Sequence, residues 1–452
     1  MTGEDKRLSG GTSTAGSRSA STPRTTLPKP GWLAAYALAL LAALALIDYR
    51  ISVAIAAGFL ILLSLVNPRA RLAWFCLGGL ALFDSGEGLG LIKIAYTATS
   101  LAFAVIAVNS IYKQRRALPR ATLAILLTSI AYMAVIVLVL VPLAIFSMGV
   151  RPSEAIRDGV THALPAVGVF FGIEAGAGAS RQARYIITGG VCSLAVAQFA
   201  LTWMTRRGAT EGQYYFLGSR AMLALALLFF LVVAIGKRGV VIGTIGASAT
   251  VASALLSGNR SSILMFIGVP AMAIGSHGKR ISLRRISRPA LIASAMAALF
   301  LLYVVPRTPY AEFVSARTDA LYTLFRTGIE SDASAASRLA ITDRALALFA
   351  QDPLLGIGIG GIPNVDSPAV YLAKFGLIGT AVIAAYFLFL FSRLYRTAPR
   401  HGMGAPLTMG WGVALLASCI SATPTSDPGL AIGIALLTLF CFSEAICEDN
   451  DA

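Results

Sequence analysis

Arginine is the residue type here with the most distinctive chemistry. Its guanidinium is a planar fork of donors that fits two oxygens of one phosphate, a geometry that a lysine ammonium cannot reproduce. Arg207, Arg220, Arg260, Arg338 and Arg344 stand in or beside short polar stretches between long apolar runs. Arg260 belongs to Ser257-Gly258-Asn259-Arg260-Ser261, and Ser, Gly and Asn are capping residues. A helix starting near Ser261 would aim its free N–H groups at the same anion that Arg260 and Asn259 reach; a tight turn between two apolar runs accounts for the same letters. Arg338 opens a polar-flanked helical stretch that runs to Ala350, on which Arg338 and Thr342 share a face and Arg344 lies about 120° round. Asp352-Pro353 ends that stretch, because proline disfavours helical geometry in the residue before it. A glycine turn follows, Gly356, Gly358, Gly360 and Gly361, and then Asp366, the one carboxylate before the next apolar run. A carboxylate in a suitable environment takes a proton from a hydroxyl; capping the helix that follows Ser367-Pro368 is the other role open to Asp366. The glycines are not a phosphate loop, since neither a preceding strand nor the required lysine is present, and they read as a turn that lets two backbones approach closely.

Composition says what must position these groups. The chain has 452 residues, of which 57% are hydrophobic and only 13% charged, with a mean hydropathy of +0.76. A soluble domain carries about twice that charged fraction, so the expectation is an all-α polytopic membrane protein. The net charge of +16 is not a nucleic-acid footprint, because the basic residues sit in short clusters between apolar runs, as the positive-inside rule requires. The five cysteines show no CxxC spacing and suggest neither a disulfide framework nor a metal site. His162, His277 and His401 are far apart and read as loop or interface histidines; no metal and no cofactor is expected.

Taken in order, residues 1–30 are Ser/Thr/Gly/Pro-rich and basic and read as a disordered cytoplasmic tail. About 14 apolar runs follow, several shorter than the usual ~20 residues of a membrane span. They form a bundle over 31–305 and a C-terminal group over 368–446, with 447–452 as a second cytoplasmic tail. Starting from a cytoplasmic N-terminus, the basic clusters fall on one side: Arg69 and Arg71, Lys113 to Arg120, Arg181 and Arg184, Lys237 and Arg238, Lys279 to Arg288, and Arg393 to Arg400. The other side holds Asp84 to Lys93, Arg206 to Arg220 with Tyr214 and Tyr215, and above all the loop 306–367. Few charges fall inside the apolar runs, and polar chemistry collects on this outer side, where arginines are conspicuous. Snorkelling toward lipid headgroups is the plain alternative for each of them.

Three stretches together resemble the superfamily of O-antigen ligases and polysaccharide polymerases, which are polytopic membrane glycosyltransferases. One is Arg338 with Ala345, Phe349 and Pro353-Leu-Leu-Gly-Ile-Gly; another is Tyr371-Leu372 with Phe375-Gly376-Leu377-Ile378-Gly379; the third is Ser257 to Ser261. The likeness covers roughly residues 240 to 395. It implies a GT-C-like helical bundle with an extracytoplasmic catalytic loop, 306–367, in the cytoplasmic membrane. It also implies inverting, metal-independent transfer from a polyprenyl-pyrophosphate-linked saccharide, with a flippase and a chain-length regulator as partners. Arg260 and Arg338 would hold the donor pyrophosphate with Arg207, Arg220, Arg344 and Asn259 around it, and Asp366 would serve as base. The ligase branch places a histidine after the glycine turn; this chain has Asn364-Val365-Asp366-Ser367 there. The expectation is therefore a polymerase joining repeat units, with a ligase or a non-enzymatic transporter of lipid-linked oligosaccharides as alternatives.

Overall fold

The computed structural model describes residues 49–81, 90–116, 118–177, 179–205, 219–235, 239–256, 264–275, 283–307, 311, 333–362, 367–398, 403–419 and 428–448. The chain divides into two compact units, residues 1–59 and 60–452. In the first, residues 49–59 are helical. They belong to α1 (Tyr49–Val66), which ends in the second unit.

The second unit continues with α2 (Pro68–Ala81), α3 (Gly90–Lys113), α4 (Arg120–Phe146), α5 (Pro152–Gly176), α6 (Arg181–Thr205), α7 (Arg220–Ile235) and α8 (Val240–Leu256). A short turn leads into α9 (Gly268–Gly275), followed by α10 (Leu283–Leu299), α11 (Ala333–Gln351), α12 (Ala369–Thr397), α13 (Gly404–Ser418) and α14 (Pro428–Glu448). The described residues contain helix and no strand. The segments Ile94–Lys113, Arg120–Phe146, Arg285–Arg307 and Ala369–Thr397 are each long and apolar enough to cross a membrane. The all-helical class expected from the sequence is the class observed among the described residues, and the four apolar segments agree with a membrane protein.

The bundle is built around α5, in which every residue from His162 to Gly176 is buried. Its tightest neighbour is α14. A Cβ on Gly168 would run into the Ala431 carbonyl oxygen, and one on Gly172 would stand 2.5 Å from that of Ala435. Small residues one turn apart let two backbones approach where lipid supplies no hydrophobic drive for association. On another flank, α4 meets α12 through Tyr132 and Tyr386, whose rings stack at 3.8 Å, while Ser129 and Tyr386 share a hydrogen bond of 3.2 Å between their hydroxyls. Beyond Tyr132, α4 widens into a π-helical segment, Val135–Leu140. The helix α13 is fixed to α7 by Trp411, whose indole donates to the Ala221 carbonyl at 2.7 Å.

Two sequence expectations are corrected by this packing. Arg71 and Arg184, read as basic loop residues, are buried. Arg71 donates to both carboxylate oxygens of Glu174 and to the Ser64 and Leu65 carbonyls, so its charge answers a carboxylate at the end of α5 rather than lipid headgroups. His162, read as a loop or interface histidine, is also buried, on α5 against Tyr371 and Phe375 of α12. Isolation in sequence did not mean isolation in space.

Candidate functional site

Residues 352–361 form an elbow that is spliced into a break in α12. At Gly376 the helix adopts φ 57° and ψ −168°, a conformation that residues with a Cβ rarely tolerate. In an unbroken helix the Leu377 and Ile378 amides would donate to the Ala373 and Lys374 carbonyls, four residues back. Here they donate to Pro353 and Leu354 of the elbow, at 2.9 and 3.2 Å. The carbonyls left over at Ala373 and Lys374 accept from Ile357 and Gly358, at 2.8 and 3.0 Å. The elbow therefore supplies partners for these four backbone groups at the break, as buried backbone requires.

The glycines make this possible. Gly356, Gly358 and Gly360 all have positive φ. A Cβ on Gly356 would lie 2.6 Å from the Ala373 oxygen, and one on Gly360 would lie 2.7 Å from the Ala155 nitrogen. The turn is wedged between α12 on one side and the start of α5 on the other, which is the close backbone approach anticipated for it.

Charge completes the joint. Asp158, on α5, accepts from the Gly360 amide at 2.8 Å and from the Lys374 ammonium at 2.6 Å, both on the same carboxylate oxygen. Its other oxygen lies 3.5 Å from His162 Nε2, one turn further along α5. All three side chains are almost fully buried. Among the described residues neither ring nitrogen of His162 makes a hydrogen bond. Buried polar atoms without partners are uncommon and mark places where something further is arranged. The Asp158 carboxylate is committed to two donors, which suits it to holding the elbow rather than to receiving a proton from a substrate.

The helix α11 packs against the start of α12 beside this joint. Its inner face, centred on Ala345 with Ile341 and Leu348, packs on Val370 and Ala373 at the start of α12. On the edge of that face Thr342 hydrogen-bonds Ser367 at 2.8 Å through their hydroxyls. Arg338 lies one turn before Thr342 on the same face. The Thr342–Ser367 bond ties α11 to a residue just ahead of α12. Arg344 is exposed on a different side of α11. Arg220 is half-buried at the start of α7. Arg207, Asn259, Arg260 and Asp366 lie outside the described residues, as do the 84–89 turn, the Tyr214 and Tyr215 stretch and most of 306–332; Arg338 is described in its backbone alone.

Few charges enter the apolar runs, as expected, and the structure shows how those few are held. Lys374 is fully buried inside the run starting at Ala369, and Asp158 and Glu174 bracket another. The reason is pairing: a charge is tolerated at such depth when a counter-charge and hydrogen bonds meet it. A signal for this was present. Lys374 is the lone charge in its apolar run until Arg393, and Asp158 and His162 stand at helical spacing ahead of another. Among the described residues no group of three or more His, Cys, Asp or Glu is arranged to hold a metal ion.

Fold and joint together define an all-helical protein, among the described residues, with four helices long and apolar enough to cross a membrane and a further helix, α11, packed on a broken, charge-pinned apolar one. No protein-family model matches the sequence, and a comparison with curated proteins returned no significant relative.

Proposed function

We propose that the protein is a membrane glycosyltransferase that joins polyprenyl-pyrophosphate-linked oligosaccharide repeat units at the outer face of the cytoplasmic membrane. The observation that carries this reading is the Thr342–Ser367 hydrogen bond. It fixes α11, on which Arg338 precedes Thr342 by one turn of sequence, to Ser367, the residue that follows Asp366 in the chain. An arginine and a carboxylate so close in sequence to the start of an apolar helix suit a substrate whose pyrophosphate is held at the bilayer surface by its lipid.

In the reaction proposed, Arg338 and Arg260 hold the donor pyrophosphate and stabilise the charge that develops on it as it leaves. Asp366 accepts the proton of an acceptor sugar hydroxyl. The hydroxyl oxygen bonds to the anomeric carbon as the bond to the pyrophosphate oxygen breaks, with inversion at that carbon.

The test is the glycan profile of cells lacking the protein, together with point variants. The expected result is single repeat units accumulating on the lipid carrier, with long chains absent. Arg338→Ala should lower polymerisation by roughly 30- to 150-fold, the worth of one charged contact to phosphate. Asp366→Asn should resemble the deletion. Long chains retained on the carrier would indicate a ligase instead.

A second reading rests on a specific observation. A broken apolar helix and buried paired charges are devices by which transporters build substrate sites. Purified protein in liposomes separates the two: chain growth on lipid-linked repeat units favours the enzyme, and movement of those units without growth favours the transporter.

A further inference from the structure

The depth of the elbow follows from the length of α12. Its outward-facing apolar surface begins at Leu377 and Ile378, just past the break, and continues to Ser392 before Arg393. Those about 16 residues rise about 24 Å, whereas the hydrocarbon layer of a bilayer is about 30 Å thick. Tilt shortens the span further. Arg393 does not extend it either, because its guanidinium stacks back over the Phe389 ring. A layer of that thickness therefore reaches beyond Leu377, to the level of the elbow.

The elbow is built for such a place. Leu377 and Ile378 donate directly to Pro353 and Leu354, so Leu354 and Leu355 continue the apolar surface of α12, and Leu354 is 59% exposed. Irregular backbone at membrane depth must satisfy its polar groups internally. The amides of Leu355, Gly356, Ile357, Gly358, Gly360 and Gly361 all donate within the protein. Water would have relieved the elbow of that requirement. The helix leading into it has the matching division: Leu339 and Leu346 are exposed on one flank of α11, and Arg344 is exposed on the other.

We propose that the elbow and the leucine flank of α11 are seated in the interfacial layer of the bilayer. Leu354 and Leu355 then contact acyl chains, and Arg344 lies at the level of the headgroup phosphates. This inference rests on the chain being a membrane protein and is independent of the glycosyl-transfer reading.

The experiment uses the full chain in phospholipid vesicles, with its five cysteines replaced by alanine and single cysteines placed at Leu339, Leu346, Leu354 and Ala340. Spin labels at the three leucine positions should collide with oxygen more than with a water-soluble nickel complex, and the label at Ala340, which is exposed one turn before Arg344 on its side of α11, should show the reverse. Leu354→Cys should react with an impermeant maleimide about tenfold more slowly than Ala340→Cys, as the apolar face of an interfacial helix is shielded. Equal reaction rates at the two positions, or nickel-complex collisions prevailing at Leu354, would overturn the proposal. So would shielding at Leu354 without oxygen collisions, which would show that a protein surface covers it, such as a second copy of the chain.

Discussion

The two buried ion pairs on α5 look alike in sequence terms and differ in what they hold. Arg71 and Glu174 form a closed unit: the guanidinium fork meets both carboxylate oxygens, and its remaining donor reaches the carbonyls at the end of α1. This pair fastens one helix end to another. Asp158 and Lys374 join a point charge to a carboxylate oxygen that also carries the Gly360 amide, while the second oxygen faces a histidine with no hydrogen bond. That pair fastens a loop. The two carboxylates are 16 residues apart, about 24 Å along the helix, so they sit toward opposite ends of one 25-residue helix. The end that is saturated with hydrogen bonds is structural; the end whose imidazole stands 3.5 Å from a carboxylate is the one beside the elbow and α11.

The largest effect expected is from removing one partner of either pair. Glu174→Ala and Lys374→Met should each lower stability by about 3–5 kcal/mol, because an uncompensated buried charge remains. The double variants Arg71→Met/Glu174→Leu and Asp158→Asn/Lys374→Met should recover most of that loss, measured as thermal unfolding in detergent. Hydrogen exchange then separates the pairs. Faster exchange at the Ile357, Gly358 and Gly360 amides should accompany loss of Lys374 and not loss of Glu174. Equal exchange in both single variants would show that the elbow does not depend on its own ion pair.

Next in size is the backbone splice. Gly376→Ala places a Cβ against the Leu354 carbonyl at a positive φ, a strain of about 1–3 kcal/mol. If the elbow and the break are one unit, the elbow amides should exchange faster in this variant while the Arg71–Glu174 end of α5 is unaffected. Unchanged elbow protection would mean that the four cross-bonds are not what holds it.

The smallest expected effect on stability is at His162. Replacing it by Phe removes two buried nitrogens that make no hydrogen bond, so stability should change by less than about 1 kcal/mol in either direction. The same change sharpens the contrast between the two ends of α5 if glycan chain length or rate falls while the melting temperature holds. Normal chains in His162→Phe would leave the imbalance around Asp158 without a functional role.

Much of this architecture was legible in the sequence, and the boundary has a physical cause. Hydropathy and helical periodicity are properties of neighbouring residues, so the apolar runs, the Arg338 to Ala350 helix and its stop at Asp352-Pro353 are determined locally. The glycines at 356, 358 and 360 likewise announce a turn of positive φ and close approach. What they approach is not local. The splice pairs Ile357 with Ala373 and Leu377 with Pro353, and only the packed fold decides that the second helix breaks to receive the first turn. Ion pairing is less local still: Asp158 finds Lys374 across 216 positions, and Arg71 finds Glu174 across 103. A charge in an apolar run states by itself that a partner must exist, because burial without one is too costly. Which residue that partner is depends on how α5, α12 and the end of α1 are brought together, and that was decided by the tertiary structure alone.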